Sequence, residues 1–552
     1  MRPLRSPSMA GHGGMGQERQ RVRGDTETDR RNTSIPHLYP MLRTATLLCL
    51  GGLAHAALAQ PGTLDPTFST DGVVQLDLTS NSDVGRDLLV MADGRLLVCG
   101  YTRPSLVDAP FIVRILPDGT PDLDYGLVYL PDGSGGRAER MVFAADSSVY
   151  LSGYADTLGH DRFTLWHVLP DGTPDPAFGL NGRVSVPLTG IYETRALDIA
   201  MQSDGKLLLA GYRQYGTSDG YLARFNSDGT LDSTFSMDGM LVMNNSGGED
   251  EGYFTLDLLD DGSIVVGGYG TSGGQAHPLL LKLTPAGVLD PTFDGDGIFT
   301  PALSLSQTHV RCLAVDGQTI VAGGDQPTNA FSTSDYFLIR LDATGVLDPS
   351  FGTSGEQVID IDADDYIGDL TILADGRIAV AGYTGNSTNG VGPIDLLAAV
   401  HMPNGAPYTT FGGNGYAIGS FSTTVDIGYA VKAQADGKLV VCGTTNVSLG
   451  VGSMVTVVRY ENDLNTLAPS SAPETGLRAW PNPANDHLRL NATITGAARV
   501  DILDATGRVV RSMRTPNANG LMIPVADLQP GSYLLRCAQG EAVRISAFVI
   551  AR

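Results

Sequence analysis

"LDPTFDGDGIF", Leu289–Phe299, gathers three aspartates and two glycines around Phe293. In isolation it offers Asp294 and Asp296 as oxygen ligands for calcium. A calcium loop of the EF-hand kind alternates such ligands and ends on a bidentate glutamate, and none follows at that distance. The opening of the segment recurs along the chain: "LDPTF" at 64–68, "PDLDYG" at 121–126, "PDPAFG" at 174–179, "LDSTF" at 231–235, "LDPSF" at 347–351 and "PYTTF" at 407–411. Its aromatic returns as Phe68, Tyr125, Phe178, Phe235, Phe293, Phe351 and Phe411, at intervals of 57, 53, 57, 58, 58 and 60 residues. The positions after it read "STDG", "GLNG", "SMDG", "GTSG" and "GGNG" elsewhere, which share turn formers and not carboxylates. A fixed period over seven copies predicts a repeat architecture, and the segment becomes a turn between units. No cofactor is expected, and Asp294 and Asp296 alone keep a claim to calcium.

Each unit has one internal order. After the aromatic comes a short strand such as "GVVQLDL" (72–78), then "DLLVMADGRLLVCGYT" (87–102), two runs of β-formers joined by Asp-Gly. That pair recurs as Asp93-Gly94, Asp204-Gly205, Asp261-Gly262, Asp316-Gly317, Asp375-Gly376 and Asp436-Gly437, and only Asp146-Ser147 departs. Asp-Gly supplies the positive backbone angles of a tight hairpin. A variable loop and a run like "FIVRILPDG" (111–119) complete the unit. Four strands per unit and no helical period predict an all-β chain: a seven-bladed β-propeller of ~57-residue repeats over 60–467. The strand after each "LDPTF" completes the preceding blade, so the last blade borrows Val73–Leu78 and no sheet edge is left open.

One titratable position repeats on the third strand: Arg114, His167, Arg224, Lys282, Arg340, His401 and Arg459. Eight residues after the first five stand Asp122, Asp175, Asp232, Asp290 and Asp348; the place after His401 is Thr409. Ring closure assigns Asp65 to Arg459. The matched aspartates favour structural ion pairs over a cationic ring that captures an anion.

The charge excludes one large class of partner. The 552-residue chain carries a net charge of −24, whereas phosphate-backbone binding rests on clustered Lys and Arg. Residues 1–60 hold about +4 and 469–552 about +3, which leaves about −31 on the middle. "MLRTATLLCLGGLAHAALAQ" (41–60) has a basic start, an apolar run too short to span a bilayer, and a small-x-small end. It predicts a signal peptide over 41–59, preceded by an N-terminal extension (1–40) that reflects a start assigned too early. No later segment is apolar enough for a transmembrane helix. Cys99 and Cys442 share one repeat position with Ser152, Ala210, Gly267, Ala322 and Ala381, which predicts a small buried residue and no redox site.

Enzyme motifs do not survive their context. G-x-S-x-G at 216–220 and 270–274 falls between the second and third strands, without the helix a nucleophile elbow requires. The histidines include no HExxH. Non-repeated acids, where paired carboxylates of a glycosidase would stand, occur in "SGGEDEGYF" (246–254) and "DIDADDYIG" (360–368).

The repeated "R-L-x-x-D-G-x-L-D-x-[TS]-F" resembles the delta-60 repeat, a family of bacterial extracellular repeats, over about 400 residues. The resemblance implies a secreted, propeller-like protein and supplies no mechanism. A Pro/Ser linker, "APSSAPETG" (468–476), ends the repeats, and the period-2 strands of 477–552 predict a small β-sandwich. This segment resembles the C-terminal sorting domain of the type IX secretion system. Pro481, Asn482, Pro483 and Asp486 match its opening, Gly507 its turn, and Leu528, Gly531 and Tyr533 its late "L-x-x-G-x-Y". The ending "RISAFVIAR" lacks the lysines many members carry. The resemblance implies the type IX machinery as partner, tail removal, and release or attachment at the outer surface. The leading functional expectation is an exported non-enzymatic module that binds an extracellular glycan or protein. A propeller enzyme acting on polysaccharide and a structural surface-layer component are the alternatives.

Overall fold

The computed structural model describes residues 60–463, apart from 80, 106, 132–133, 187–191, 244–248, 302–307, 329–332, 363, 386–392 and 447–451. It also describes 477–550, apart from 481–486, 493–497, 505–507, 516–520, 530 and 540–541. The expected extension, signal peptide and linker lie outside the described residues, as do Pro481, Asn482, Pro483, Asp486 and Gly507.

Among the described residues no α-helix occurs, and so none is long and apolar enough to cross a membrane. Strands between 73 and 460 form four-stranded antiparallel sets. Five are separate sheets; the other eight strands make two sets joined by one parallel bridge, Ser334–Asp364. In the first complete set the strands are Asp83–Val90, Leu96–Thr102, Ala109–Ile115 and Leu127–Tyr129, in sequence order. The strand Val73–Leu76 pairs instead with Ser453–Tyr460, with Val73 opposite Val458 and Leu76 opposite Val455. The sets pack one against the next through their first strands, and Asp83–Val90 packs against Asp426–Ala433, so the series closes on itself. This is the β-propeller arrangement, with a side-chain cluster filling each space between sheets.

The repeated turn differs from the expected one. Gly94 N donates to Met91 O (2.9 Å) and Met91 N to Arg95 O (2.8 Å), a type I turn closed by a glycine. Only the glycine takes a positive φ, 85° at Gly94, and Ser147 adopts 70° where the glycine is missing. The aspartate contributes through its side chain instead. Asp93 Oδ1 accepts Arg95 N (3.1 Å), and Asp204, Asp261, Asp375 and Asp436 repeat the bond. That local side-chain bond favours the turn over strand continuation.

Every first strand carries a β-bulge at the same place: Gly85/Asp87, Ala138/Arg140, Ala196/Asp198, Tyr253/Thr255, Val310/Cys312, Ile367/Asp369 and Gly428/Ala430. A glycine on the second strand stands opposite each bulge. A Cβ on Gly100 would lie 1.9 Å from Val84 O, and one on Gly443 would lie 1.7 Å from Ile427 O. No side chain fits there, so glycine occupies the place in all seven units. The small residue before it abuts the next inner strand; Gly85 has Cys442 Sγ 2.6 Å from where its Cβ would be. Register puts Gly323 at that position, opposite Cys312, and not Ala322. Cys99, Cys312, Cys442 and Cys537 are buried and form no disulfide with one another.

Phe293 is fully buried with Leu280 of its own sheet and Val310, Ile320 and Phe337 of the next. Asp296 Oδ1 accepts Ile298 N (2.9 Å), Asp294 takes a left-handed φ of 49°, and its N donates to Thr344 O (2.9 Å). Both residues therefore serve the turn that enters the fourth strand.

The tail is two sheets. Leu477–Trp480, His487–Ala492 and Met522–Pro524 form one; Val509–Thr515, Ala498–Leu503, Gly531–Gln539 and Ala542–Ile550 form the other. Leu488, Leu490, Val500, Ile502, Leu535 and Phe548 make the core between them. Gly531 opens its strand, Leu528 and Tyr533 join that core, and Tyr533 OH donates to Gln529 O (2.9 Å).

Candidate functional site

The repeated third-strand cations meet their aspartates. Separations are 2.7 Å for Arg114–Asp122, 2.9 Å for His167–Asp175, 2.8 Å for Arg224–Asp232 and 3.0 Å for Lys282–Asp290. Arg340–Asp348 measures 2.5 Å and Arg459–Asp65 2.6 Å. Each aspartate also closes its own turn; Asp290 Oδ1 accepts Thr292 N at 3.0 Å. Several cations reach onward to a carbonyl of the following sheet: Lys282 to Ala343 O (3.0 Å), Arg459 to Pro117 O (2.8 Å), and Arg224 and Arg340 to the Pro285 and Pro403 oxygens. The guanidiniums also lie over the repeated aromatic, with Arg459 4.4 Å from the Phe68 ring centre and Arg114 4.4 Å from that of Tyr125. These cations are therefore spent between sheets. His401 differs: burial holds it neutral, its pKa depressed to about 4, between Tyr336 OH (2.9 Å) and Gly405 O (3.0 Å).

The two acidic insertions are tied into loops. Glu249 accepts the Gly273 and Gly274 N–H groups (3.0 Å each), and Asp250 accepts Ser218 N (2.7 Å). Asp335, Asp360 and Asp365 bring carboxylate oxygens within 4.8 Å of one another. Burial, then Asp360 and Asp365, push the Asp335 carboxyl up to about 6. Asp365 accepts Ile361 N (2.6 Å) and Asp362 N (3.2 Å), capping its loop as Asp83 and Asp426 do in their own sheets. Ser218 and Ser272 of the G-x-S-x-G matches sit on β-strands.

A different constellation forms where the inner strands begin. The residue after the second-strand glycine is tyrosine in five units: Tyr101, Tyr154, Tyr212, Tyr269 and Tyr383. Across the gap to the next sheet, Arg137 lies over Tyr101 (4.0 Å to the ring centre) and Arg195 over Tyr154 (4.7 Å), while His309 meets Tyr269 edge-on (5.0 Å between ring centres). The bulges add their extra residue to the same belt. Arg86 lies over Tyr429 at 4.3 Å, and Arg311 lies between Phe254 (4.8 Å) and Tyr366 (5.2 Å). Tyr366 and Tyr383 stack with planes 4° apart. Apart from the buried Tyr154, these residues are half-buried. The result is a collar of rings and guanidiniums that links neighbouring sheets near the start of their inner strands.

Each collar guanidinium holds a carboxylate: Arg86–Glu139 2.6 Å, Arg137–Asp108 2.6 Å, Arg195–Asp161 2.7 Å and Arg311–Asp325 2.5 Å. The inner strands also enclose a cavity of about 260 Å³, lined by Asp87, Arg140, Asp198, Asp257, Asp369 and Lys432 among others. Here the acids stitch neighbouring inner strands, as Asp87 accepts Met141 N (2.7 Å), Asp198 Leu256 N (2.8 Å) and Asp257 Val315 N (2.9 Å). Burial pushes the Asp198 carboxyl up to about 6 and raises Asp87 and Asp257. Arg140 crosses the channel to Gly368 O at 3.4 Å, so the passage is obstructed by its own side chains.

Residues 92–124, 202–235, 259–293, 315–351 and 434–465 match the family described as a domain of unknown function (DUF5122) beta-propeller. Residues 478–551 match the secretion-system C-terminal sorting domain. The chain carries DUF5122 beta-propeller repeats and a type IX sorting tail. The tail directs the chain through the type IX machinery, to be secreted or attached at the outer cell surface. Neither match is to a catalytic family. No curated protein sequence matches the chain. Similar solved structures include a protein of unknown function from Dyadobacter fermentans, at 13% identity over 71% of this chain and 99% of that one, with TM-score 0.34. Polysaccharide lyase Uly1 is 11% identical over 68% and 90% (TM-score 0.40), and Sqt1 from Chaetomium thermophilum 11% over 72% and 99% (TM-score 0.35).

Proposed function

We propose that this exported protein is a non-enzymatic binding module, which holds a glycan or a protein outside the cell. The collar carries the reading. Half-buried tyrosines stacked with fixed, ion-paired arginines form a rim that can contact a partner without rearrangement, and Tyr and Arg are the residues that dominate binding surfaces. The third-strand cations are occupied between sheets, so they support a structural role and not capture of an anion.

One observation favours the rival reading of a polysaccharide-acting enzyme. Asp335, pushed up to about 6 beside Asp360 and Asp365, is the kind of carboxyl that could donate a proton near neutral pH. A screen of the full chain against immobilised glycans and outer-surface proteins, with reducing-end release measured in parallel, separates the two. Retention without release is expected. Release of sugar that Asp335→Asn abolishes would replace the binding reading by the enzymatic one.

A further inference from the structure

We infer that Asp335, Asp360, Asp365 and the amide oxygen of Gln326 form a calcium site that clamps two neighbouring sheets. The site stands apart from the binding-module reading, since it needs no glycan or protein partner. One carboxylate oxygen from each aspartate lies within 4.8 Å of the other two. Calcium takes oxygen ligands at about 2.3–2.6 Å, so two ligands of one ion stand at most about 5 Å apart. Asp335 lies on the third strand of its sheet, Ser334–Asp342, and Asp360 directly follows that sheet's last strand, Glu356–Ile359. Asp365 lies at the start of the next set's first strand, Asp364–Ile372, beside the parallel bridge Ser334–Asp364. An ion held by all three ties the two sets where they already meet.

Another unit shows what these acids lack. On the strand Thr217–Phe225, Asp219 holds the place of Asp335, and Arg213 across the strand pair binds it at 2.6 Å. Opposite Asp335 the place of that arginine is taken by Gln326, which brings no charge. Gln326 is 8% exposed and shares a face with Asp335, and its Oε1 has no hydrogen-bond partner among the described residues. A buried acceptor without a donor is costly, and a cation beside Asp335 satisfies it. The aspartates are equally short of positive charge: after burial, Asp360 and Asp365 are what push the Asp335 carboxyl up to about 6. Asp365 accepts Ile361 N (2.6 Å), Asp362 N (3.2 Å) and Thr384 Oγ1 (2.5 Å), which fixes its carboxylate and leaves one of its about four acceptor positions free. Asp360 is exposed, so water completes the coordination from that side. Three carboxylates and an amide form an all-oxygen set for a hard cation. Drawn from a loop and strand ends, it suits the flexible coordination of calcium better than the rigid octahedron of magnesium.

The test is calorimetric titration of the calcium-stripped full chain with CaCl2, with melting followed in EDTA and in about 10 mM CaCl2. A site with a Kd of about 0.1–1 mM is expected, in the range of extracellular calcium modules. Calcium should then raise the melting temperature by about 2 °C. Asp360→Asn, a change at an exposed position, should weaken calcium binding at least about tenfold and remove the shift, and Asp335→Asn should do the same. Gln326→Glu adds a ligand charge and should tighten binding about threefold or more, a gain that misfolding does not produce. Asp294→Asn, in the turn after Phe293, should leave the affinity within about twofold of wild type. Absence of both calcium heat and a melting shift overturns the site. Binding left unchanged by Asp360→Asn and Gln326→Glu, or lost in Asp294→Asn, puts the ion elsewhere and overturns it as well. Equal affinity for MgCl2 overturns calcium as the ion.

Discussion

Asp65 and Arg459 stand 394 residues apart and meet at 2.6 Å where the last sheet takes its outer strand from the start of the repeats. Asp65 is fully buried and accepts four bonds: Thr67 N (2.9 Å), Thr67 Oγ1 (2.7 Å), Arg459 Nε (2.6 Å) and Lys438 Nζ (2.7 Å). Burial works to raise its carboxyl, but Lys438, Thr67 and Arg459 outweigh burial and hold it well below the usual range. Asp65→Ala strands Arg459 and leaves Lys438 with Glu461 (3.2 Å), and removing one partner of a buried pair costs about 3–5 kcal/mol. Arg459→Ala should cost less, because Asp65 keeps Lys438. Their double mutant should fall short of the sum by about 1–3 kcal/mol. Urea unfolding of the full chain, followed through the fully buried Trp166, gives the midpoints. Arg95–Asp93, with side chains 29% and 51% exposed, is the control, and its loss should cost at most about 1 kcal/mol. Because the Asp65 carboxyl is depressed, the pair's stabilisation is present above the unfolded value near 4 and is lost as pH falls toward the lower folded one. Single variants no worse than the control, with a double mutant additive within about 0.5 kcal/mol, would refute the reasoning.

Asp335 carries the opposite sign. Its folded pKa of about 6 lies above the unfolded value near 4, so its ionised form weakens the fold as pH rises between them. Asp335→Asn should therefore raise the melting temperature at pH 8, with the gain gone by pH 4. Ser147 holds a left-handed φ of 70° where the corresponding hairpins use glycine, and Ser147→Gly should stabilise by about 0.5–1 kcal/mol in the same urea assay. Deleting 477–552 removes the sorting tail and should retain the chain in the periplasm, as read by cell fractionation.

The sequence by itself determined the repeat, and with it the sheets. The period of Phe68 to Phe411, the Asp-Gly turns and the β-runs between them are local signals, and local hydrogen bonding favours hairpins there before any sheet packs on another. The eight-residue interval from Arg114 to Asp122 was legible for the same reason, since a third strand and its following turn lie within one unit. Even the collar left a trace, the tyrosine after the second-strand glycine in five units. Its meaning was not legible, because Tyr101 and Arg137 belong to different sheets and their contact depends on how those sheets pack. Arg86, Phe254, Arg311 and Tyr429 meet across the sheets only because each inner strand bulges there, which shifts register by one and turns a side chain that simple alternation would place on the other face. Strand identity is local and readable. The collar is built from residues of many strands, so only the closed tertiary structure decided what stands there.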